Sequence, residues 1–371
     1  MNRRDFTRLS ALALAAARLP GALAQGPPAP QSSPVLPKPV GFAAVGLGAA
    51  STGFMEACAG SPVVRIAALV TGHPDTKGVQ FAEKYGIPKS SIYTYETFSK
   101  IRDNPDVAAL YLGLPNSMHC EYTLRGAEYG KHILCELPMA ISSAECLLMI
   151  DACRKQQRRL MMAYRLPWDP TWQQAFAILS AGNIGKLQSF RGCLLDSQPA
   201  GAWRLSRALG GGGSLLSAGI HPLYGVRFLV HEEPSDFTAV VATGDPSDPR
   251  FAEVEQSVEW TMKFPSGAIA SCGSSYGQFG PAFLSAHGDK GYIRLDNAFG
   301  DSGIHLTGRA GELAFDQTGP GQGHIIQLRQ IAEHFANCIR HDWQPLTPGE
   351  EGLKDVLAIE RIYQAAGTPI A

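Results

Sequence analysis

Gly46-Leu47-Gly48-Ala49-Ala50-Ser51 is the first stretch of this chain whose residue types and spacing could do chemistry. In such a run the first glycine makes a tight turn and the second lets backbone approach a ligand. A small third residue lets the following helix close on a sheet. Backbone amides laid out this way cradle a pyrophosphate, so Gly46, Gly48 and Ser51 are read as cofactor-binding. A site for an unphosphorylated ribose usually carries Asp or Glu at the end of the second strand. Here the chain reads Leu69-Val70-Thr71-Gly72-His73, and Asp75 comes later. Thr71, His73 and Lys77 could receive a 2′-phosphate, which favours NADP over NAD. Asn116 and His119 follow another apolar strand, near where the nicotinamide ribose would lie. Trp203 and Arg204 could stack on and hydrogen-bond a sugar.

These groups need elements to hold them. Residues 40–47, 63–70, 107–114 and 132–135 read as buried strands, and helices are expected over 75–85, 120–130 and 143–157. Strands alternating with helices imply a parallel sheet with right-handed crossovers and a ligand site at the strands' carboxyl ends. Farther on, Val258, Trp260, Met262 and Phe264 alternate with polar residues as a half-buried strand does. Pro265-Ser266-Gly267 is a turn, and residues 268–274 return from it.

With 371 residues, 45% hydrophobic and 18% charged, the chain can bury a sizeable core and is not disordered. Its formal charge of −1 gives no footprint for nucleic acid. No run of about 18 apolar residues is present, so no spanning helix is expected. The eight cysteines are scattered and form no C-x-x-C, which points to free buried thiols and no metal motif.

The N-terminus has the order of a secretory signal. Arg3-Arg4-Asp5-Phe6 precedes a short apolar stretch, and Ala22-Leu23-Ala24 offers a cleavage site. Residues 1–24 are therefore expected to be a twin-arginine-type signal leading to the periplasm, with no membrane attachment once it is removed. A proline-rich arm follows over 25–40, read either as a flexible linker or as an extended arm that wraps another subunit.

Leu114-Pro115-Asn116-Ser117-Met118-His119, Cys135-Glu136-Leu137-Pro138, Tyr164-Arg165, Trp203-Arg204-Leu205 and the run from Gly211 to His221 come in a telling order. The chain resembles the Gfo/Idh/MocA oxidoreductases, most closely their exported sugar-oxidising branch. That resemblance implies an α/β fold with an N-terminal Rossmann dinucleotide-binding domain, placed at 41–158. A C-terminal α/β domain with a large, mostly antiparallel sheet is placed at 159–371. It also implies a tightly bound NADP (or NAD), a small carbohydrate substrate and a homo-oligomer.

Two positions depart from the family's pattern. Leu137 stands where the family has the Lys of Glu-Lys-Pro, and Ser217 stands where it has Asp. Neither can replace the missing charge. His221 remains, and an imidazole with a pKa of about 6.5 can take a hydroxyl proton at neutral pH. Tyr164 is the second catalytic candidate. Arg165 lies where family members line the substrate pocket, and Tyr224, one helical turn from His221, could face the same pocket. Glu136 is placed beside the cofactor, where it shapes the loop.

Three functions fit these residues. One is an NAD(P)-dependent sugar oxidoreductase with His221 as base. A second is a glycoside-cleaving enzyme that oxidises its sugar transiently, eliminates the substituent and reduces again. The third is a binding protein without turnover. Net oxidation, net hydrolysis or binding alone would separate them.

Overall fold

The computed structural model describes residues 38–320 and 323–368. The signal and nearly all of the arm expected at 1–40 lie outside the described residues.

Strand β1 (Val40–Val45) is buried along its whole length and runs into the glycine turn. It lies at the centre of a six-stranded parallel sheet. The other strands are β2 (Val64–Val70), β3 (Ile92–Tyr93), β4 (Ala109–Leu112), β5 (His132–Cys135) and β6 (Leu160–Met162). Their order, β3-β2-β1-β4-β5-β6, is that of a doubly wound dinucleotide fold. The crossovers contain α1 (Ala49–Cys58), α2 (Val79–Tyr85), α3 (His119–Glu128) and α4 (Ser143–Lys155). Ser142 caps helix α4, its hydroxyl accepting from Glu145 N at 3.3 Å, and the Glu145 carboxylate reaches back to accept from Ile141 N at 3.4 Å.

Two expectations change here. Residues 74–78 form a wide turn before α2 begins at Val79, because Gly78 sits close to β3: a Cβ there would lie 2.9 Å from Ile92 Cγ2. The sheet also runs past residue 158, since β6 pairs in parallel with β5.

An eight-stranded sheet follows, made of β7 (Leu187–Leu195), β8 (Asp236–Ala242), β9 (Ser257–Lys263), β10 (Ile269–Ser275), β11 (Phe283–Gly288), β12 (Gly291–Asp296), β13 (His305–Ala310) and β14 (Leu313–Thr318). Its order is β14-β13-β12-β11-β7-β10-β9-β8, antiparallel except for the β7–β10 pair. Val258, Trp260 and Met262 point inward from β9. They belong to one buried cluster with residues of α5 (Pro170–Ser180), α7 (Ile220–Val230) and α9 (Gly349–Ala365), and the short α6 (Arg207–Gly210) lies earlier in the chain than α7. Asp169 caps α5, accepting from Thr171 N at 2.8 Å and Trp172 N at 3.1 Å ahead of Pro170 at the first helical position.

Helix α8 (Gly323–His341) returns from the second sheet and packs on α1. Leu328, Ile331 and Phe335 join Phe42 and Phe54 in one buried cluster. Arg329 donates to the carbonyls of Ala57 and Ala59 at 2.8 Å, satisfying the C-terminus of α1. Phe335 is fully buried, so Phe335→Ala is expected to cost about 3–5 kcal/mol. A fall in the urea midpoint at unchanged slope would show it; an unchanged midpoint would mean that α8 does not hold the first domain.

All eight cysteines are free, and all but Cys193 are buried. Burial pushes thiols such as Cys58, Cys135 and Cys272 up, so they are packing groups. No helix among the described residues is long and apolar enough to cross a membrane.

A candidate dinucleotide and substrate cleft

A cleft of about 530 Å³ opens at the carboxyl ends of β1, β2, β4 and β5. Gly46, Gly48, Thr71, Lys77, Asn116, Glu136, Trp203 and Arg204 line it, together with Leu137. Gly46 has φ +80°, and a Cβ there would come within 2.6 Å of Gly113 O. Nothing lies within 4 Å of where a Gly48 Cβ would stand, and no side chain caps the N-terminus of α1. Those amides are therefore free to meet an anion, and the cradle fits a pyrophosphate. Ser51 is buried against the sheet: a Cβ on Gly113 would lie 2.3 Å from its Oγ. It allows the close helix–sheet approach and does not line the cleft.

At one end the lining is Thr71, Gly72, His73, Lys77 and Tyr95, without a carboxylate. Thr71 Oγ1 accepts from His73 N at 3.1 Å, which shapes this end. Tyr95 escaped the sequence reading because the loop that carries it has no periodic signal.

The other end is built by loops after β4 and β5. Tyr111 donates to the Glu136 carboxylate, whose pKa burial raises against that bond and the charge of Arg165. Leu137 borders the cleft, and its bond to Pro138 is cis. Asn116 Nδ2 donates to Gly210 O at 2.8 Å and to Ser217 Oγ at 3.0 Å, joining the two domains at the cleft wall. His119 does not reach the cleft. Its ring is fully buried between the carbonyls of Pro138 (2.8 Å) and Leu114 (3.1 Å), so it braces the two loops and is not a cofactor ligand.

His221 is half-buried in the first turn of α7. Neither ring nitrogen has a hydrogen-bond partner among the described residues; the ring rests beside Phe299, with centroids 6.1 Å apart. Burial first, then the charges of Arg165 and Arg204, bring its pKa down to about 4. The imidazole is therefore neutral at pH 7, with a lone pair free to accept. Arg204 lies over the Trp203 ring at 4.5 Å on the cleft wall. Arg165 is held by Asp301 at 3.0 Å and Phe299 O at 3.2 Å, within electrostatic reach of both Glu136 and His221.

Tyr164 and Tyr224 are not where the sequence placed them. Tyr164 is buried and its hydroxyl donates to Asp355, which commits that proton to the core. Tyr224 stacks on it with centroids 3.8 Å apart. Neither lines the cleft.

The family model described as an oxidoreductase family with an NAD-binding Rossmann fold matches residues 40–164. That of the GFO/IDH/MocA C-terminal domain matches residues 172–294. The chain belongs to the Gfo/Idh/MocA oxidoreductase family. Among its relatives, a D-xylose 1-dehydrogenase [NADP(+)] of Haloarcula marismortui is 30% identical, over 74% of this chain and 77% of that protein. A levoglucosan dehydrogenase of Pseudarthrobacter phenanthrenivorans is 28% identical over 58% of each. The crystal structure of an aldose–aldose oxidoreductase from Caulobacter crescentus, complexed with glycerol, superposes with a TM-score of 0.83. It is 38% identical and covers 89% of this chain and 98% of that one.

Within this Gfo/Idh/MocA fold, the turn that bears Ser217 and His221 has its own support, which the sequence reading missed. Buried Glu255 accepts from Gly213 N at 2.8 Å, Leu215 N at 3.0 Å and the Tyr363 hydroxyl at 2.7 Å. It anchors the wide turn Leu215–Gly219 that leads into α7. The run Gly211-Gly212-Gly213 was the visible sign of that contact, since a Cβ on Gly213 would lie 2.3 Å from Glu255 O.

Proposed function

We propose that this protein is an exported NADP-dependent carbohydrate oxidoreductase in which His221 is the proton acceptor. One observation carries the reading. One cleft is lined by the glycine turn and by Trp203 and Arg204, and His221, which is not itself among the lining residues, lies within electrostatic reach of Arg204.

A nicotinamide dinucleotide bound there would supply the hydride acceptor. Gly46, Gly48 and the first amides of α1 would hold its pyrophosphate, and Thr71, His73 and Lys77 its 2′-phosphate. Trp203 offers a face for a sugar ring and Arg204 offers donors for its oxygens. His221 takes the hydroxyl proton. As hydride departs from carbon the hydroxyl becomes steeply more acidic, so a weakly basic neutral imidazole suffices. Arg204 and Arg165 stay charged throughout and stabilise the oxygen that loses its proton, the work Leu137 cannot do. An elimination cycle would need a further base, and Tyr164 is committed to Asp355.

The Arg3-Arg4 signal and the proline arm support export to the periplasm. There a tightly held cofactor, regenerated by a second carbohydrate, suits the absence of free exchange. The open face of the eight-stranded sheet exposes Ile269 and Tyr292, which supports a homo-oligomer.

The test is absorbance at 340 nm of the mature protein with NADP and a panel of aldoses. Reduction by at least one aldose is expected. Firm NADP binding with no reduction by any aldose would overturn the reading.

The pH profile adds an independent check. A pKa lowered to about 4 means that His221 binds a proton only below that value. The accepting form is complete at neutral pH and is lost as pH falls through 4. In brief pH-jump assays kcat/KM is expected to stay flat between about pH 5 and 8 and to fall below that range. Arg165→Met should move this limb upward, toward the ordinary imidazole value. A wild-type limb near that ordinary value would show that neither burial nor the two arginines hold His221 down.

A further inference from the structure

Helix α7 carries His221 in its first turn and is fastened again at Tyr224 and Arg227. The Tyr224 ring stacks on Tyr164, interplanar angle 24°. Arg227 Nη1 donates to one oxygen of Asp355, and the Tyr164 hydroxyl donates to the other. One fully buried carboxylate on α9 thus ties α7 to the segment that leaves β6. The remaining Arg227 nitrogens are satisfied by Glu233 at 2.7 and 2.8 Å and by Glu351 at 3.3 Å.

The His221 end of the helix is seated separately, by the Glu255 carboxylate on Leu215 N and by Asn116 on Ser217 Oγ. It emerges from the wide turn Leu215–Gly219, and no side chain caps it. His221 has no hydrogen bond of its own among the described residues, so its direction follows from the seating of α7, set at one end by this turn and at the other by the Asp355 clamp. A buried ion pair is a poor source of net stability but a strict directional constraint.

We propose that Asp355 and Tyr164 are positioning residues for His221, fixing the rotation of α7 so that the imidazole lone pair faces the cleft. This rests on the reading of His221 as the base. Both are fully buried and committed to the hydrogen bond between them, so neither is catalytic.

The decisive variant is Tyr164→Phe. It keeps the stacked ring and the Asp355–Arg227 pair and removes a single hydrogen bond. Misplacing a reacting group by about 1 Å costs up to about 10²-fold. A fall in kcat of about tenfold is expected, with the dissociation constant for NADP unchanged. In a His221→Ala background the same change should have no further effect, because there is no imidazole left to aim. Asp355→Asn should give the same pattern with a larger fall. Equal losses from Tyr164→Phe in both backgrounds would mean a structural role and overturn the proposal. Normal kcat for Tyr164→Phe, with His221→Ala inactive, would overturn it and leave the base assignment standing. Full activity in His221→Ala would overturn both.

Discussion

Replacing His221 by alanine is expected to lower kcat for carbohydrate oxidation by about 10²–10⁴-fold while leaving NADP affinity unchanged. The size follows from what surrounds the ring. Leu137 has no polar atom to accept a proton. Asn116 already uses its amide on Gly210 and Ser217. Tyr164 and Tyr224 are turned into the core. Arg165 and Arg204 are permanent donors. Glu136 is engaged by Tyr111 on the cofactor side of the cleft. Removal of the imidazole therefore leaves water as the acceptor. The pyrophosphate cradle lies in a different wall, which is why binding should survive. Single-turnover absorbance at 340 nm, with NADP binding followed by fluorescence, measures both quantities. A kcat within a few-fold of wild type would remove His221 from the chemistry.

Gly72→Asp is expected to reverse the cofactor preference, changing the ratio of kcat/KM for NADP over NAD by about 100-fold or more. The residue follows β2 at the end of the cleft that has Thr71, His73 and Lys77 but no carboxylate. An aspartate there would accept from the two hydroxyls of an NAD ribose. Against a 2′-phosphate it would set like charges side by side, which costs several kcal/mol. The substitution is sterically mild: a Cβ on Gly72 meets only Tyr95, at 3.5 Å, and the backbone there is not left-handed. The ratio is read from initial rates with each cofactor. An unchanged ratio would place the ribose elsewhere.

The first domain was legible because its signals are local. Buried parallel strands are continuous apolar runs, and the turn at Gly46 has a fixed spacing with a mechanical cause. The short strands β3 and β6 were missed because two or three residues have no period to detect. Lining residues contributed by backbone-driven turns, Gly46, Gly48 and Thr71, fell where the pattern put them. The errors concern side chains whose direction depends on distant partners. His119 and Tyr164 have the right chemistry at the right strand ends. What settles their use is Pro138 O in one case and Asp355, 191 positions away, in the other. Glu255 and Asp355 carried no local signal, since an acidic residue in a strand-rich or helical stretch normally faces water. Their importance appears only once the Gly213 amide and the Arg227 guanidinium are brought to them.

Helix α8 sets an order of events during synthesis. The core of the cofactor domain is completed by Leu328, Ile331 and Phe335, which are made long after Phe42 and Phe54. Until they arrive, Phe42 and Phe54 lack their cover and α1 lacks the arginine that satisfies its end. A competent cradle for the dinucleotide thus waits on residues made long after the glycine turn itself, and a chain interrupted before α8 would hold the turn without the cover that steadies it.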